Sequence, residues 1–200
     1  NFISLAKQLN IRLIPIEGDA DGMLPDALAQ QRQQINIKGI YLMPSCANPT
    51  GIVMPEERRR AIAAVLRKHN MLLIEDDAYG FTARENAAPI TVLLPQQSIY
   101  LHSLSKLACP GLRVAYMLVP AHFRQRIRRA ARSLSMAIPP LSAEIASELI
   151  VSGTAEHIIE EKCRLTEERN RIFRRIFPAH TENTRSFFQW MPLPVGCGGA

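Results

Sequence analysis

The sequence predicts an α/β protein: a mostly parallel sheet sandwiched by helices. Three observations carry this. Strand and helix patterns alternate through the first two-thirds of the chain, the order that right-handed crossovers impose on a parallel sheet. The run from Met71 to Glu75 is apolar up to its last residue, as in a strand buried on both faces. Several polar residues (Asn48, Asp76, Tyr79, Lys106) follow strand ends, the edge at which such sheets bind ligands.

Taken in order, Phe2, Leu5, Ala6 and Leu9 recur at helical spacing, and Asn10 can end that helix. Ile11 to Ile16 reads as a strand, and the acidic, glycine-containing run 17–22 as a turn. Pro25 opens a helix to about Gln34, at a position where its missing N–H costs nothing. Residues 39–43 form a short buried strand. The loop Pro-Ser-Cys-Ala-Asn-Pro-Thr-Gly (44–51) follows. Pro55, Glu56 and Glu57 start an amphipathic helix to about His69, with acids in its first turn suited to the dipole. The strand at 71–75 runs into Asp-Asp-Ala-Tyr-Gly (76–80). A long connection spans 83–97, with Pro89 and Pro95. Ser98 to His102 is a strand into Ser-Leu-Ser-Lys (103–106), and Leu112 to Val119 is the strand that returns from it. Helices follow at 121–134, 140–151 and 155–177, the last stopped by Pro178. Arg185 to Met191 reads as a further strand.

The chain has 200 residues, 47% hydrophobic and 21% charged, which is ordinary for a globular protein. It has room for one sizeable core and a second lobe. No apolar run is long enough to span a bilayer and no signal peptide stands at the start, so no membrane partner is expected. The four cysteines form no CxxC pair, which argues against zinc and fits a cytoplasmic protein with free thiols. Net charge is +6, concentrated at 124–132 and 164–175. Without interleaved aromatics in the first cluster or a preceding helix-turn-helix, a solvated helix face accounts for it better than a nucleic-acid surface. Both ends look cut, as in a fragment of a longer protein.

The chemistry centres on Lys106. A lysine that loses its charge can form a Schiff base with a carbonyl. Hydroxyls (Ser103, Ser105) and a guanidinium (Arg113) beside it suit a phosphate. Pyridoxal 5′-phosphate (PLP) carries both an aldehyde and a phosphate. Asp76, at a buried strand end, can pair with a protonated pyridine nitrogen. Asp77 should point the other way. Asn48 and Tyr79 can hydrogen-bond a phenolate oxygen such as that of the cofactor ring. Each residue alone also has an ordinary reading: solvated lysine, turn asparagine, loop carboxylate, half-buried tyrosine or surface arginine.

Together, Asn-Pro-Thr-Gly (48–51), Asp-x-Ala-Tyr (76–79) and Ser-x-Ser-Lys with arginine seven residues on resemble the signature of fold-type I PLP-dependent aminotransferases. That resemblance implies the large domain of an aspartate aminotransferase-like PLP transferase (1–153, incomplete at its start). It implies a linking helix and the start of a small α+β domain (154–200). It also implies a PLP cofactor, with Lys106 catalytic, Asn48 and Tyr79 at the ring oxygen, Asp76 at the ring nitrogen, and Ser103, Ser105 and Arg113 at the phosphate. Amino acid and 2-oxo acid partners and a homodimer are implied as well.

The wording of 43–51, 56–60, 74–81 and 104–113 further resembles the aminotransferase-like domain of MocR-type regulators in the GntR family. In those proteins a DNA-binding winged-helix domain lies upstream, so DNA is a partner only through it. A stand-alone class I/II aminotransferase is the alternative, and an inactive remnant a second. The family's glycine-rich phosphate loop and stacking aromatic would lie before Asn1, and its carboxylate-binding arginine beyond Ala200.

Overall fold

A computed structural model describes residues 2–83, 87–134, 137–177 and 185–191. Its centre is a four-stranded sheet: β3 (Gly39–Leu42), β4 (Leu72–Asp76), β5 (Ser98–Ser103) and β6 (Ala115–Leu118), adjacent in that order. The first three are parallel, with Ile40 opposite Leu73 and Asp76 opposite Leu101; β6 is antiparallel to β5. A two-strand hairpin, β1 (Gly18–Asp19) and β2 (Gly22–Met23), stands where the acidic turn was expected.

The period of two sorts the strand residues between faces. Ile40, Leu42 and Leu73 point into the main core. There they meet Leu28 of helix α2 (Pro25–Gln34), Ile62, Ala63 and Leu66 of α3 (Glu56–Lys68), and Ile90 of the short α4 (Ile90–Leu93). Helix α3 forms because acids open it, bases close it, and residues 59, 62, 63 and 66 make one buried stripe. Fully burying a leucine such as Leu66 or Leu73 contributes about 1.5–3 kcal/mol.

On the opposite face, Phe2 of helix α1 (Phe2–Gln8) stacks on Tyr41, with ring centroids 4.0 Å apart. A second core holds Leu104 and Leu107 of the one-turn helix α5 (Leu104–Leu107). It also takes in Leu112, Val114, Ala146 of α7 (Pro140–Val151) and Ala155 of α8 (Thr154–Ile176). Helix α6 (Ala121–Ser133) follows β6 and buries no residue fully.

Four expectations change. Residues 11–17 take no regular secondary structure and join no ladder among the described residues; Pro15 lacks an N–H, and Ile11 and Leu13 are exposed. Residues 185–191 are not a strand. The Ser186 hydroxyl donates to the Phe188 carbonyl (2.6 Å) and accepts from its N–H (3.3 Å), which folds the chain back on itself. Lys106 lies on α5 and not in an open loop. The return strand starts only at Ala115, because 110–112 make a 3-10 turn and Arg113 takes a left-handed conformation (φ 54°). The expected stop at Pro178 and the tail from 192 lie outside the described residues.

Candidate functional site

The parallel strands β3, β4 and β5 end on one edge of the sheet, and β6 starts there. The loop holding Asn48 leaves β3, the turn with Tyr79 leaves β4, and α5 with Lys106 leaves β5. Arg113 lies two residues before β6. Topology therefore gathers residues separated by as much as 65 positions, from Asn48 to Arg113.

Asp76 is half-buried on the face away from the main core. One carboxylate oxygen accepts the Tyr41 hydroxyl at 2.5 Å and the other accepts the Ala78 N–H at 3.0 Å. A carboxylate offers about four lone-pair sites, so it retains acceptor capacity. Burial, and then the bond to Asp76, push the Tyr41 phenol above its ordinary range, so Tyr41 remains a donor. Ser103 shares this face, two positions beyond Leu101, the residue opposite Asp76. Its side chain accepts the Ser105 N–H at 3.2 Å and caps α5.

Lys106 is exposed, and its Nζ stands 5.7 Å from the centre of the Tyr79 ring. Tyr79 also meets Phe188 edge-on at 5.2 Å. Asn48 and Arg113 are exposed, and neither side chain bonds another site residue among the described residues. The structure thus brings Tyr79 against Lys106 and puts Asp76 and Ser103 on one face. Asn48 and Arg113 share only the edge.

Asp77 turns to the opposite face. It is buried, accepts the Tyr100 hydroxyl, and sits so close to Gly80 that a Cβ there would stand 2.2 Å from its Oδ2. Gly80→Ala must displace a short, buried, hydrogen-bonded carboxylate. It is expected to cost about 1–3 kcal/mol of stability, read as a lower urea midpoint at unchanged slope.

Three residues that sequence reasoning missed support the edge. Tyr41 holds Asp76. Lys162 of α8 donates to the Lys106 and Ala108 carbonyls. Arg59 of α3, buried, donates to the carbonyls of Met54, Pro44, Ala87 and Ala88 and so pins both ends of the loop that carries Asn48. Glu75, at the other end of the same buried layer, accepts two N–H groups and a hydroxyl from Ile90 and Thr91. Burial still pushes its carboxyl above the usual range.

Relatives bear on what this edge does. An uncharacterized HTH-type transcriptional regulator of Bacillus subtilis, YdeF, is 35% identical over 98% of the chain, which spans 43% of that protein. The 2-aminoadipate transaminase of Thermus thermophilus is 27% identical over 92% of the chain and 50% of its own length. The chain therefore spans half or less of both relatives.

Among solved structures, the α-aminoadipate aminotransferase LysN of Thermus thermophilus superposes with a TM-score of 0.76 at 24% identity, covering 82% of this chain and 44% of that one. The kynurenine aminotransferase of Pyrococcus horikoshii gives 0.77 at 22%, covering 88% and 47%. These likenesses establish the aspartate aminotransferase-like fold. Residues 6–195 match the family described as aminotransferase class I and II, and the chain belongs to that family.

Proposed function

We propose that this chain is a PLP-binding, aminotransferase-like domain and the effector-sensing part of a MocR/GntR-type DNA-binding regulator. The observation that carries the regulator half is the 35% identity, over nearly the whole chain, to an HTH-type transcriptional regulator. The cofactor half rests on the donor set at the sheet edge. It includes a half-buried carboxylate with lone pairs to spare, an amine beside a phenol, a helix-capping hydroxyl and a guanidinium without an ion pair among the described residues. Two solved relatives were crystallised with pyridoxal-derived groups, a phosphopyridoxyl-leucine in one and PMP in the other.

The residues fit PLP as follows. Asp76 would accept the N–H of the pyridine ring. Asn48 and Tyr79 would donate to the ring oxygen. Ser103, Ser105 and Arg113 would hold the phosphate, and Lys106 would bond the aldehyde carbon. When bound, PLP supplies an electron-withdrawing ring next to an amine's α-carbon. Asp76, oriented by Tyr41, would keep the proton on the ring nitrogen, and the Lys106 amine, when free, would serve as the base that moves a proton at the α-carbon. Residues 1–153 would form the large domain and 154–200 lead into the small one, in a homodimer that meets DNA only through an upstream domain. No helix among the described residues is long and apolar enough to cross a membrane.

A stand-alone aminotransferase moving an amino group between an amino acid and a 2-oxo acid is the second reading, favoured by the 27% identity to 2-aminoadipate transaminase. Adding amino acids singly to the PLP-loaded chain separates the two. Sensing predicts a spectral change reversed by dialysis, with no keto acid formed. Catalysis predicts stoichiometric keto acid and a pyridoxamine-form spectrum. Absence of a winged-helix sequence upstream in the gene would remove the regulator reading.

A further inference from the structure

We propose that Lys162 of α8 is the positioning residue for the turn that carries Lys106. This rests on the reading of Lys106 as the PLP-bearing lysine. Helix α5 is a single turn, closed by the Ala108 N–H donating to the Leu104 carbonyl at 2.8 Å. One turn makes too few internal bonds to hold its own shape in water. Its last carbonyls have no helical N–H to accept. The Lys162 ammonium donates to two carbonyls there, that of Lys106 itself at 3.1 Å and that of Ala108 at 2.9 Å. A cation at a helix C-terminus also answers the partial negative charge of the exposed carbonyls.

Nothing on α8 competes for this ammonium. The residues three and four positions away are Ile158, Ile159, Leu165 and Thr166, none of them acidic. Its neighbour Arg164, by contrast, pairs with Glu161 and Glu168. Burial holds the Lys162 amine below the usual lysine range, the mark of a group that has given up water for these carbonyls. The grip has a second point. Seven residues earlier, about 10 Å along the helix axis, Ala155 of α8 packs into the core formed with Leu104 and Leu107. Helix α8 therefore holds the Lys106 turn by an apolar contact at one place and a charged hydrogen-bond donor at another.

Lys162→Met keeps most of the stem and removes the donors, while Lys162→Arg keeps donors and charge. In the cofactor-free chain, amide hydrogen exchange of segment 104–109 is expected to quicken on the order of tenfold in Lys162→Met, the factor for about one lost hydrogen bond to a charged group, and to return near wild type in Lys162→Arg. In the PLP-loaded chain, Lys162→Met should release PLP faster by a similar factor and lose visible circular dichroism, with Lys162→Arg again close to wild type. Unchanged exchange and release in Lys162→Met would overturn the proposal. So would equal damage in both variants, since that would assign the effect to side-chain shape. If the wild-type chain takes up no PLP, the cofactor reading falls, and the exchange measurement still decides the role of Lys162.

Discussion

Arg59→Met is expected to lower the unfolding free energy by about 3–5 kcal/mol, the range for removing one partner from a buried charged network. Arg59 is 1% exposed and stands at the N-terminal end of the α3 stripe. Its Nε donates to the Met54 carbonyl at 2.9 Å, Nη1 to Ala87 and Ala88 at 3.3 Å each, and Nη2 to Pro44 at 3.1 Å. Burial pulls its pKa down while the charges of Glu75 and Asp77 oppose that pull, so the guanidinium stays charged in a layer that also holds two acids. Methionine fills part of the space but takes the guanidinium donors from all four carbonyls, leaving Pro44 the Met54 N–H, and leaves the acids without their cation. A planar fork reaches several carbonyls at once, whereas an ammonium cannot. Arg59→Lys should therefore recover less than half the loss. Urea unfolding at constant slope measures both variants. A loss below about 1 kcal/mol for Arg59→Met would mean that water already satisfies these carbonyls and that the buried bonds contribute little.

Arg59 also shows what the sequence displayed and what it hid. The periodicity of α3 was legible, and it places residue 59 in line with Ile62, Ala63 and Leu66. An arginine in a buried stripe is itself a signal, because a charge there needs several partners. Which partners it has could not be read, since they lie on a loop before the helix and on another after β4. Tyr41 repeats the lesson. Strand alternation puts it opposite in direction to Ile40 and Leu42, but its bond to Asp76 depends on the β3–β4 register, which spans 35 positions. Lys162 left only the weak trace of a helical lysine without an acid at i±3 or i±4. The helices with proline or acids at the start and the strands ending in polar residues were read correctly because those cues are local. The strands expected at 11–16 and 185–191 failed for a different reason: alternation marks a segment able to pair, and neither finds a neighbour among the described residues.

Lys106→Ala should abolish the visible absorbance of PLP bound to this chain without unfolding it. The stability half follows from position. Lys106 is exposed, its ammonium makes no ion pair among the described residues, and its contact with the Tyr79 ring at 5.7 Å is worth about 0.5–1 kcal/mol at an exposed site. The α5 turn keeps its Ser103 cap, and its Lys162 bonds reach backbone carbonyls that alanine retains. A Tm within a few degrees of wild type is therefore expected, so that a lost band reports chemistry and not folding. The chemical half follows from the amine, since no other lysine lies on the strands, loops and turn that form this edge, and the nearby Lys162 ammonium is engaged with the Lys106 and Ala108 carbonyls. If the chain also converts amino acids, losing the proton-transferring base should slow conversion by about 10²–10⁴-fold. Asp76→Asn gives a contrasting signature. It preserves the shape that Tyr41 and the Ala78 N–H recognise but removes the negative charge, so the band should remain while any conversion falls. A band that survives in Lys106→Ala would place PLP on another amine and dissolve the assignment of this edge as the cofactor site. A band lost in Lys106→Ala and kept in Asp76→Asn would separate the residue that bonds the cofactor from the one that tunes it.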